Sequence, residues 1–90
     1  MGEVAIRYKI MCSPETDVTA DEIAVSLEEM ENDVGVVQSV ETKPLAFGMK
    51  FVEAYCVIQE GDGTVDNFED GIKAISGVGE IQVLEIGRLM

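Results

Sequence analysis

The apolar residues of this chain change their spacing several times, and this change restricts the possible folds more than any other feature. Between residues 4 and 11 they alternate, which predicts a half-buried strand. The core-facing residues of that strand are Val4, Ile6, Tyr8 and Ile10. Between residues 19 and 31 they recur every three or four positions, which predicts a helix with one apolar stripe. Each element needs a partner layer for its apolar face, so the chain is expected to fold as packed α and β layers.

The first helix has a clear start signal. Ser13-Pro14 ends the first strand, and Thr19 and Glu22 have the spacing of a capping box, so the helix is predicted to begin at Thr19. Asn32-Asp33 closes it. Its apolar stripe consists of Ile23, Leu27 and Met30.

The rest of the chain repeats this order with one extra strand. A strand is predicted from Val34 to Thr42, and Pro44 marks its end or a sheet edge, because proline cannot donate to a ladder. A long strand follows from Ala46 to Gln59, with its small apolar residues in one phase. A second helix is predicted between Val65 and Ile75, weakened by Gly71 and capped by Ser76-Gly77. The last strand covers Glu80 to Arg88, and a change of phase predicts a bulge near Leu84-Glu85.

This order predicts an α+β, ferredoxin-like βαββαβ sandwich, formed by residues 1–90 as a single domain. Right-handed crossovers place both helices on one face of a four-stranded antiparallel sheet, with the first and third strands central. The opposite face of the sheet is then uncovered. It is either an interaction surface or a solvated sheet with aromatic cross-strand pairs. The residues predicted on that face are Arg7, Lys9, Phe51, Glu53 and Tyr55.

Composition removes several classes of function. The net charge of −12 opposes binding to nucleic acid and to anionic membranes, and no apolar run approaches the roughly 20 residues that span a bilayer. The chain shows no secretory signal, so we expect a cytoplasmic protein. The negative charge serves either solubility, including adaptation to a salty cytoplasm, or the steering of a partner.

Residues suited to covalent chemistry are scarce, so we expect neither an enzyme nor a cofactor. The chain has no histidine, and Cys12 and Cys56 lack metal-ligand spacing and a basic partner, so both are expected to be unpaired, inert thiols. The acidic turn around Asp62 does not match a calcium loop, because its sixth position is Asn67 and its twelfth is Lys73. We therefore predict no catalytic residue and no metal site.

One segment stands out, the run Pro44-Leu45-Ala46-Phe47-Gly48 at the entry to the third strand. A glycine beside a large aromatic residue allows a sharp turn that holds the ring outward as an anchor. Alternatively, the ring folds back and plugs the open end of the sheet. Spacing alone leaves both arrangements open.

With this segment and the strand that follows it through Cys56-Val57-Ile58, the chain resembles the guanine-nucleotide exchange domain of translation elongation factor 1-beta, especially its short archaeal members. The resemblance covers nearly the whole chain. It implies the βαββαβ fold, and a protein that binds the GTPase elongation factor 1-alpha and promotes exchange of GDP for GTP.

The resemblance also implies which residues bind the partner. The family's counterpart of Phe47 enters a pocket of the GTPase, and we also predict, from the segment itself and from the open face of the sheet, that Pro44, Gly48, Phe51 and Tyr55 bind the partner. Eukaryotic members use a lysine near the C-terminus at the magnesium site, and this chain ends differently, with Arg88 as the candidate substitute. The alternative is a regulatory module of the same fold that binds a small ligand at strand ends or at a dimer seam.

Overall fold

The computed structural model describes residues 2–45 and 48–89, the last two without their side chains. The order of elements is the predicted βαββαβ. The elements are β1 (Glu3–Cys12), α1 (Ala20–Glu28), β2 (Gly35–Pro44), β3 (Lys50–Gln59), α2 (Thr64–Lys73) and β4 (Val78–Leu89).

The four strands form one antiparallel sheet in the order β2-β3-β1-β4. The prediction that the first and third strands are central is therefore confirmed, and β2 and β4 are the two edges. Pro44 is the last residue of edge strand β2, where a missing N–H costs the ladder least. The sheet and the two helices make the predicted ferredoxin-like α+β fold.

The core lies between the sheet and the helices. It consists of the side chains on one face of each central strand, as predicted, and of the apolar stripes of both helices. The fully buried side chains include Ile6, Tyr8, Ile10, Val52, Cys56, Ile58, Ile23, Leu27, Phe68 and Ile72. The Tyr8 hydroxyl is satisfied because it donates a hydrogen bond of 3.1 Å to Glu69 Oε2 of α2.

The predicted start of α1 is confirmed and its predicted end is wrong. Thr19 is the N-cap, and its hydroxyl accepts a hydrogen bond from the backbone N–H of Glu22. The helix ends at Glu28, and Met30 then bonds back to Leu27 in a tighter turn. The last turn has no basic residue, and Glu28, Glu29 and Glu31 gather at the end where the helix dipole is negative. That repulsion favours an early stop.

The other boundary corrections concern α2, β2, β3 and β4. Helix α2 stops at Lys73 with Ala74 as its C-cap, so Ser76-Gly77 forms a separate turn rather than the predicted cap. Strand β3 begins at Lys50 rather than Ala46. Strand β2 extends two residues beyond its predicted C-terminal end, to Pro44. Strand β4 begins two residues before its predicted start, at Val78. The predictions for α2 and β3 were too long because the apolar spacing continues across the adjoining turns. The predictions for β2 and β4 were too short because their apolar spacing stops two residues before the backbone pairing does.

The bulge predicted in β4 is confirmed. Arg7 pairs with Glu85 and Tyr8 pairs with Val83, so Leu84 has no partner on β1. The extra residue changes the phase of the strand, which explains why alternation in this segment switches from one set of apolar residues to the other.

Candidate functional site

The connection between β2 and β3 is a tight hairpin. Pro44 pairs with Lys50, and the backbone N–H of Leu45 donates to the carbonyl of Met49 at 2.6 Å. Gly48 has φ of +75°, and no atom lies within 4 Å of a Cβ built on it. Glycine is therefore used here for its backbone conformation and not because space is short. Phe47, the predicted anchor, lies outside the described residues.

The open face of the sheet carries the five residues predicted there. Phe51 and Tyr55 point to it from β3 and are both half-buried. The Lys9 ammonium lies 4.8 Å from the centroid of the Phe51 ring, a cation–π contact that covers one side of the aromatic surface. The face is thus ordered by contacts among its own side chains.

Ion pairs cross this face from edge to edge. Glu53 at the centre is paired with Arg7 at 3.2 Å and with Lys43 at 2.5 Å, and its side chain is only 16% exposed. Arg7 also reaches Glu85 on β4 at 3.2 Å. The hydrogen bond that Lys43 donates to Glu53 is the main reason why the pKa of Lys43 lies above its ordinary value. The row ties β2, through Lys43, to the rest of the sheet immediately before the hairpin.

A shallow groove of about 540 Å³ follows this row. Its walls come from all four strands and include Ser39, Tyr55 and Glu85. It is lined by paired charges and one aromatic ring, so it offers hydrogen-bonding groups rather than an apolar pocket.

Two further grooves meet at the hairpin end of the sheet. One, of about 330 Å³, lies between Gly48-Met49-Lys50 and the start of α1, and a second, of about 540 Å³, runs from Met49 along the loop after β1. Cys12 lines both, and Met49 is 56% exposed. Partial burial raises the pKa of the Cys12 thiol, so this cysteine is less reactive than a free one.

Sequence reasoning missed Met49 and Cys12 as parts of this surface. The sequence gives only the position of Met49, directly after the turn glycine Gly48, and that is a weak signal because single exposed apolar residues are common on protein surfaces. Cys12 gave no signal, since it becomes a wall of the groove only through its position opposite the hairpin.

The predicted partner-binding residues do not form one cluster. Pro44, Gly48 and Phe51 share the hairpin end, and Tyr55 lies further along the open face. Arg88 pairs with Val4 at the opposite end of the sheet, whereas Phe51 pairs with Met11. The two positions on β1 are seven residue steps apart, or about 23 Å of extended strand. Arg88 and the hairpin would have to contact different parts of a partner.

Charge is distributed unequally between the two layers. On the open face Arg7, Lys9 and Lys43 lie among Glu41, Glu53 and Glu85, and Glu3 and Glu80 lie in the same phase of the sheet. On the helical side Lys73 is the one basic residue of α1, α2 and the segment that follows α1. The acids there are Asp21, Glu22, Glu28, Glu29, Glu31, Asp33, Asp66, Glu69 and Asp70. The sheet face is therefore the less repulsive approach for an anionic or acidic partner.

Within residues 2–45 and 48–89, no group of three or more Cys, Asp or Glu side chains is placed to hold a metal ion. Across the same described part of the chain, neither helix has the length and apolar character needed to cross a membrane. Cys12 and Cys56 are both free thiols, as predicted, and Cys56 is the more deeply buried of the two.

Comparison with known proteins gives one consistent family. Residues 5–89 match the model of the EF-1 guanine nucleotide exchange domain. The chain is 34% identical over 89 residues to elongation factor 1-beta of Methanococcoides burtonii, with 98% of each chain covered. It is 32% identical to the protein of the same name from Natronomonas pharaonis, covering 99% of this chain and 100% of the relative. With the matching fold and a match over nearly its whole length, this chain belongs to the EF-1 guanine nucleotide exchange domain family.

Proposed function

We propose that this protein promotes the exchange of GDP for GTP on elongation factor 1-alpha, in the cytoplasm. The observation that carries the proposal is the family match over residues 5–89, which includes the hairpin and the whole open face. Nucleotide exchange factors change no covalent bond. The protein would act by binding, which agrees with its lack of histidine and with the poor reactivity expected of its thiols.

The hairpin end is the proposed primary contact. It combines a tight turn, an exposed Met49 and two adjoining grooves, and Phe47 belongs to the same connection in the sequence. Apolar and aromatic anchors surrounded by grooves are typical of the energetic centre of an interface. Phe51 and Tyr55 extend this surface along the open face.

The rigid row of ion pairs supports the same role. Glu53 holds Lys43 one residue before Pro44, and Arg7 links that carboxylate to the central strand β1. An anchor on a fixed turn loses less conformational entropy on binding than an anchor on a flexible loop. The ion pairs thus hold the end of β2 that leads into the hairpin.

Exchange requires a thermodynamic coupling between the two ligands of the GTPase. An exchange protein that lowers the affinity of the GTPase for GDP must itself bind the GTPase less tightly when GDP is present. The two affinities fall by the same ratio. The protein is therefore expected to prefer the nucleotide-free GTPase. A small-ligand regulatory module would share the fold and lack this preference.

The decisive experiment measures release of a fluorescent GDP analogue from an archaeal elongation factor 1-alpha, with and without catalytic amounts of this protein. We expect faster release with the parent protein. For Phe47→Ala as an anchor, we expect a loss of about 2 kcal/mol in binding, close to thirtyfold in affinity, with a nearly unchanged melting temperature.

Val25→Ala is the matched control, because Val25 is 54% exposed on helix α1 and does not line the grooves at the hairpin end. It should stimulate release as well as the parent. If the parent has no effect at saturation, the exchange function is wrong. If Phe47→Ala instead loses about 3–5 kcal/mol of folding stability, the ring is a core plug and the anchor is rejected.

A further inference from the structure

The loop between β1 and α1, residues 13–18, is held against the start of β4 and the turn before it. The backbone N–H of Ser13 donates to the carbonyl of Gly77 at 2.7 Å, and a Cβ built on Gly79 would lie 2.9 Å from Ser13 Cα. The loop also bonds to itself, because the Ser13 carbonyl accepts from the N–H of Thr16 at 3.4 Å. The loop is therefore packed against β4 without room for a side chain between the two backbones.

This loop is one wall of the larger groove at the hairpin end, which we call the loop groove. Met49 of the hairpin, the end of β1 and the start of β4 complete its lining, and it holds about 540 Å³. Its walls include the apolar residues Met11, Cys12, Pro14 and Val18. Its volume falls within the roughly 300–1,000 Å³ of pockets that bind small ligands. The loop groove is therefore large enough for a side chain of another protein.

The charged residues of the loop groove are acidic. Asp17 of the loop and Glu80 of β4 line it, and no lysine or arginine among the described residues does so. Within the same part of the chain neither carboxylate takes part in an ion pair, although Glu80 accepts a hydrogen bond of 3.1 Å from Gln82. In the neighbouring groove, by contrast, Asp21 lies 3.9 Å from the Lys50 ammonium. The loop groove thus combines apolar walls with negative charge that has no cation of its own.

From this combination we propose that the loop groove receives an apolar side chain of elongation factor 1-alpha, with a lysine or arginine beside it that pairs with Asp17. The inference rests on the proposed function, and it adds the loop after β1 as a second contact. The GTPase is the expected occupant because Met49 lines both this groove and the groove at the start of α1, so a partner seated on the hairpin lies beside the loop.

Each part of this occupant has its counterpart in the groove. Met49 is 56% exposed in the free protein, and an apolar side chain of the partner would remove that surface from water. The basic group would oppose Asp17 and Glu80, as charges across protein interfaces usually do. The loop is already packed against β4, so little of its conformational entropy is lost on binding.

Thr16→Trp tests the apolar contact. Thr16 is exposed and lines the loop groove, so a large ring at this position would fill the space. The variant should bind nucleotide-free elongation factor 1-alpha about tenfold more weakly than the parent, as measured by isothermal titration calorimetry. Val25→Trp is the matched control, because it places the same ring on the exposed face of α1, outside the groove. It should bind like the parent.

Asp17→Lys tests the basic group, with Glu28→Lys as its control. The two substitutions change the net charge equally, and Glu28 is exposed at the end of α1 and lines neither groove at the hairpin end. At about 0.1 M salt, Asp17→Lys should lose about fivefold in affinity relative to Glu28→Lys. At about 1 M salt, where the Debye length is about 3 Å, this difference should shrink. The loss for Thr16→Trp should persist, because it is steric.

The two pairs of variants test the proposal independently, and circular dichroism shows whether each variant is folded. Equal affinities of Thr16→Trp and Val25→Trp would overturn it, and so would equal affinities of Asp17→Lys and Glu28→Lys at low salt. A loss for Asp17→Lys that salt leaves unchanged would reject the ion pair. Release of the fluorescent GDP analogue by the parent remains a separate measurement. If the parent speeds release while the members of each pair bind equally, the exchange function stands and the loop groove is rejected.

Discussion

Replacement of Gly77 by alanine should be among the most damaging single-methyl changes in this protein. Gly77 is buried and has φ of +91°, in the left-handed region. A Cβ built on it would overlap the side chain of Val18, with Val18 Cγ1 only 2.5 Å away. The Gly77 carbonyl also accepts a 2.7 Å hydrogen bond from the N–H of Ser13. The turn after α2 and the loop after β1 are therefore packed together without spare room.

The loss of unfolding free energy expected for Gly77→Ala has two contributions. A left-handed conformation costs a non-glycine residue about 1–2 kcal/mol, and overpacking a close contact costs about 1–3 kcal/mol. The expected loss for Gly77→Ala is thus about 2–5 kcal/mol, against a total of about 5–15 kcal/mol for a typical domain. In a domain of this size each kcal/mol lowers the melting temperature by about 4–8 °C.

Gly63→Ala separates the two parts. Gly63 also has a positive φ, of +75°, but no atom lies within 4 Å of its added Cβ, so it should show the backbone cost alone. Urea and thermal unfolding, followed by circular dichroism, give both free energies of unfolding. Val18→Gly removes Val18 Cβ together with both Cγ atoms, so in the double variant Gly77→Ala with Val18→Gly the overlap should be relieved and the loss of stability should be smaller than the sum of the two single losses. If Gly77→Ala is no less stable than Gly63→Ala, the close contact with Val18 does not exist as described.

Two other predictions concern titration and thiol access. Burial raises the pKa of the Cys56 thiol from 9.0 to about 12, so the native state keeps a proton that the unfolded state loses. Stability is then fully present below pH 9 and falls as the pH rises from 9 towards 12, and Cys56→Ala should flatten that part of the curve of unfolding free energy against pH. Burial and Glu69 also raise the pKa of Tyr8, which adds to the loss above pH 10 and should be absent in Tyr8→Phe. In thiol titration, Cys12 should react first in the native protein and Cys56 only on unfolding, for a total of two groups; a single simultaneous reaction in native buffer would contradict the burial of Cys56.

The fold was predictable because its signal is periodic and repeated. Val52, Ala54 and Cys56 alternate with larger and polar residues over a whole strand, and a slip by one residue would move all of them into water. Even the bulge at Leu84 left a trace, since an extra residue shifts the phase of everything after it. Such patterns depend on burial, which the sequence records directly.

The ends of the helices were not predictable in the same way. Met30 and Ile75 keep helical spacing beyond the last helical turn, and both pack against the core from the turns that follow. Apolar spacing reports contact with the core, whereas a helix end is decided by local hydrogen bonds and by charge at the dipole. These local contributions are small in free energy, and they leave the apolar spacing of the sequence unchanged.

The arrangement of the site was only partly predictable. The hairpin was located from Pro44 and Gly48, whose roles depend on local backbone chemistry. The separation of Arg88 from the hairpin follows from antiparallel topology: β4 ends beside the start of β1, and β3 starts beside its end. The order of elements already contained that information, and strand direction is the signal that would have shown it.

The charge of −12 either serves solubility or steers a partner, and these two possibilities predict different effects of salt on binding. At the hairpin end Lys50 lies 3.9 Å from Asp21, and the cations of the sheet face are held in ion pairs or over Phe51, while many carboxylates lie on the helical side. A partner that binds through electrostatic attraction to this molecule should bind less tightly as salt screens the charges. If the charge serves only solubility, salt should leave binding of the GTPase unchanged, and one ionic-strength series distinguishes steering from solubility.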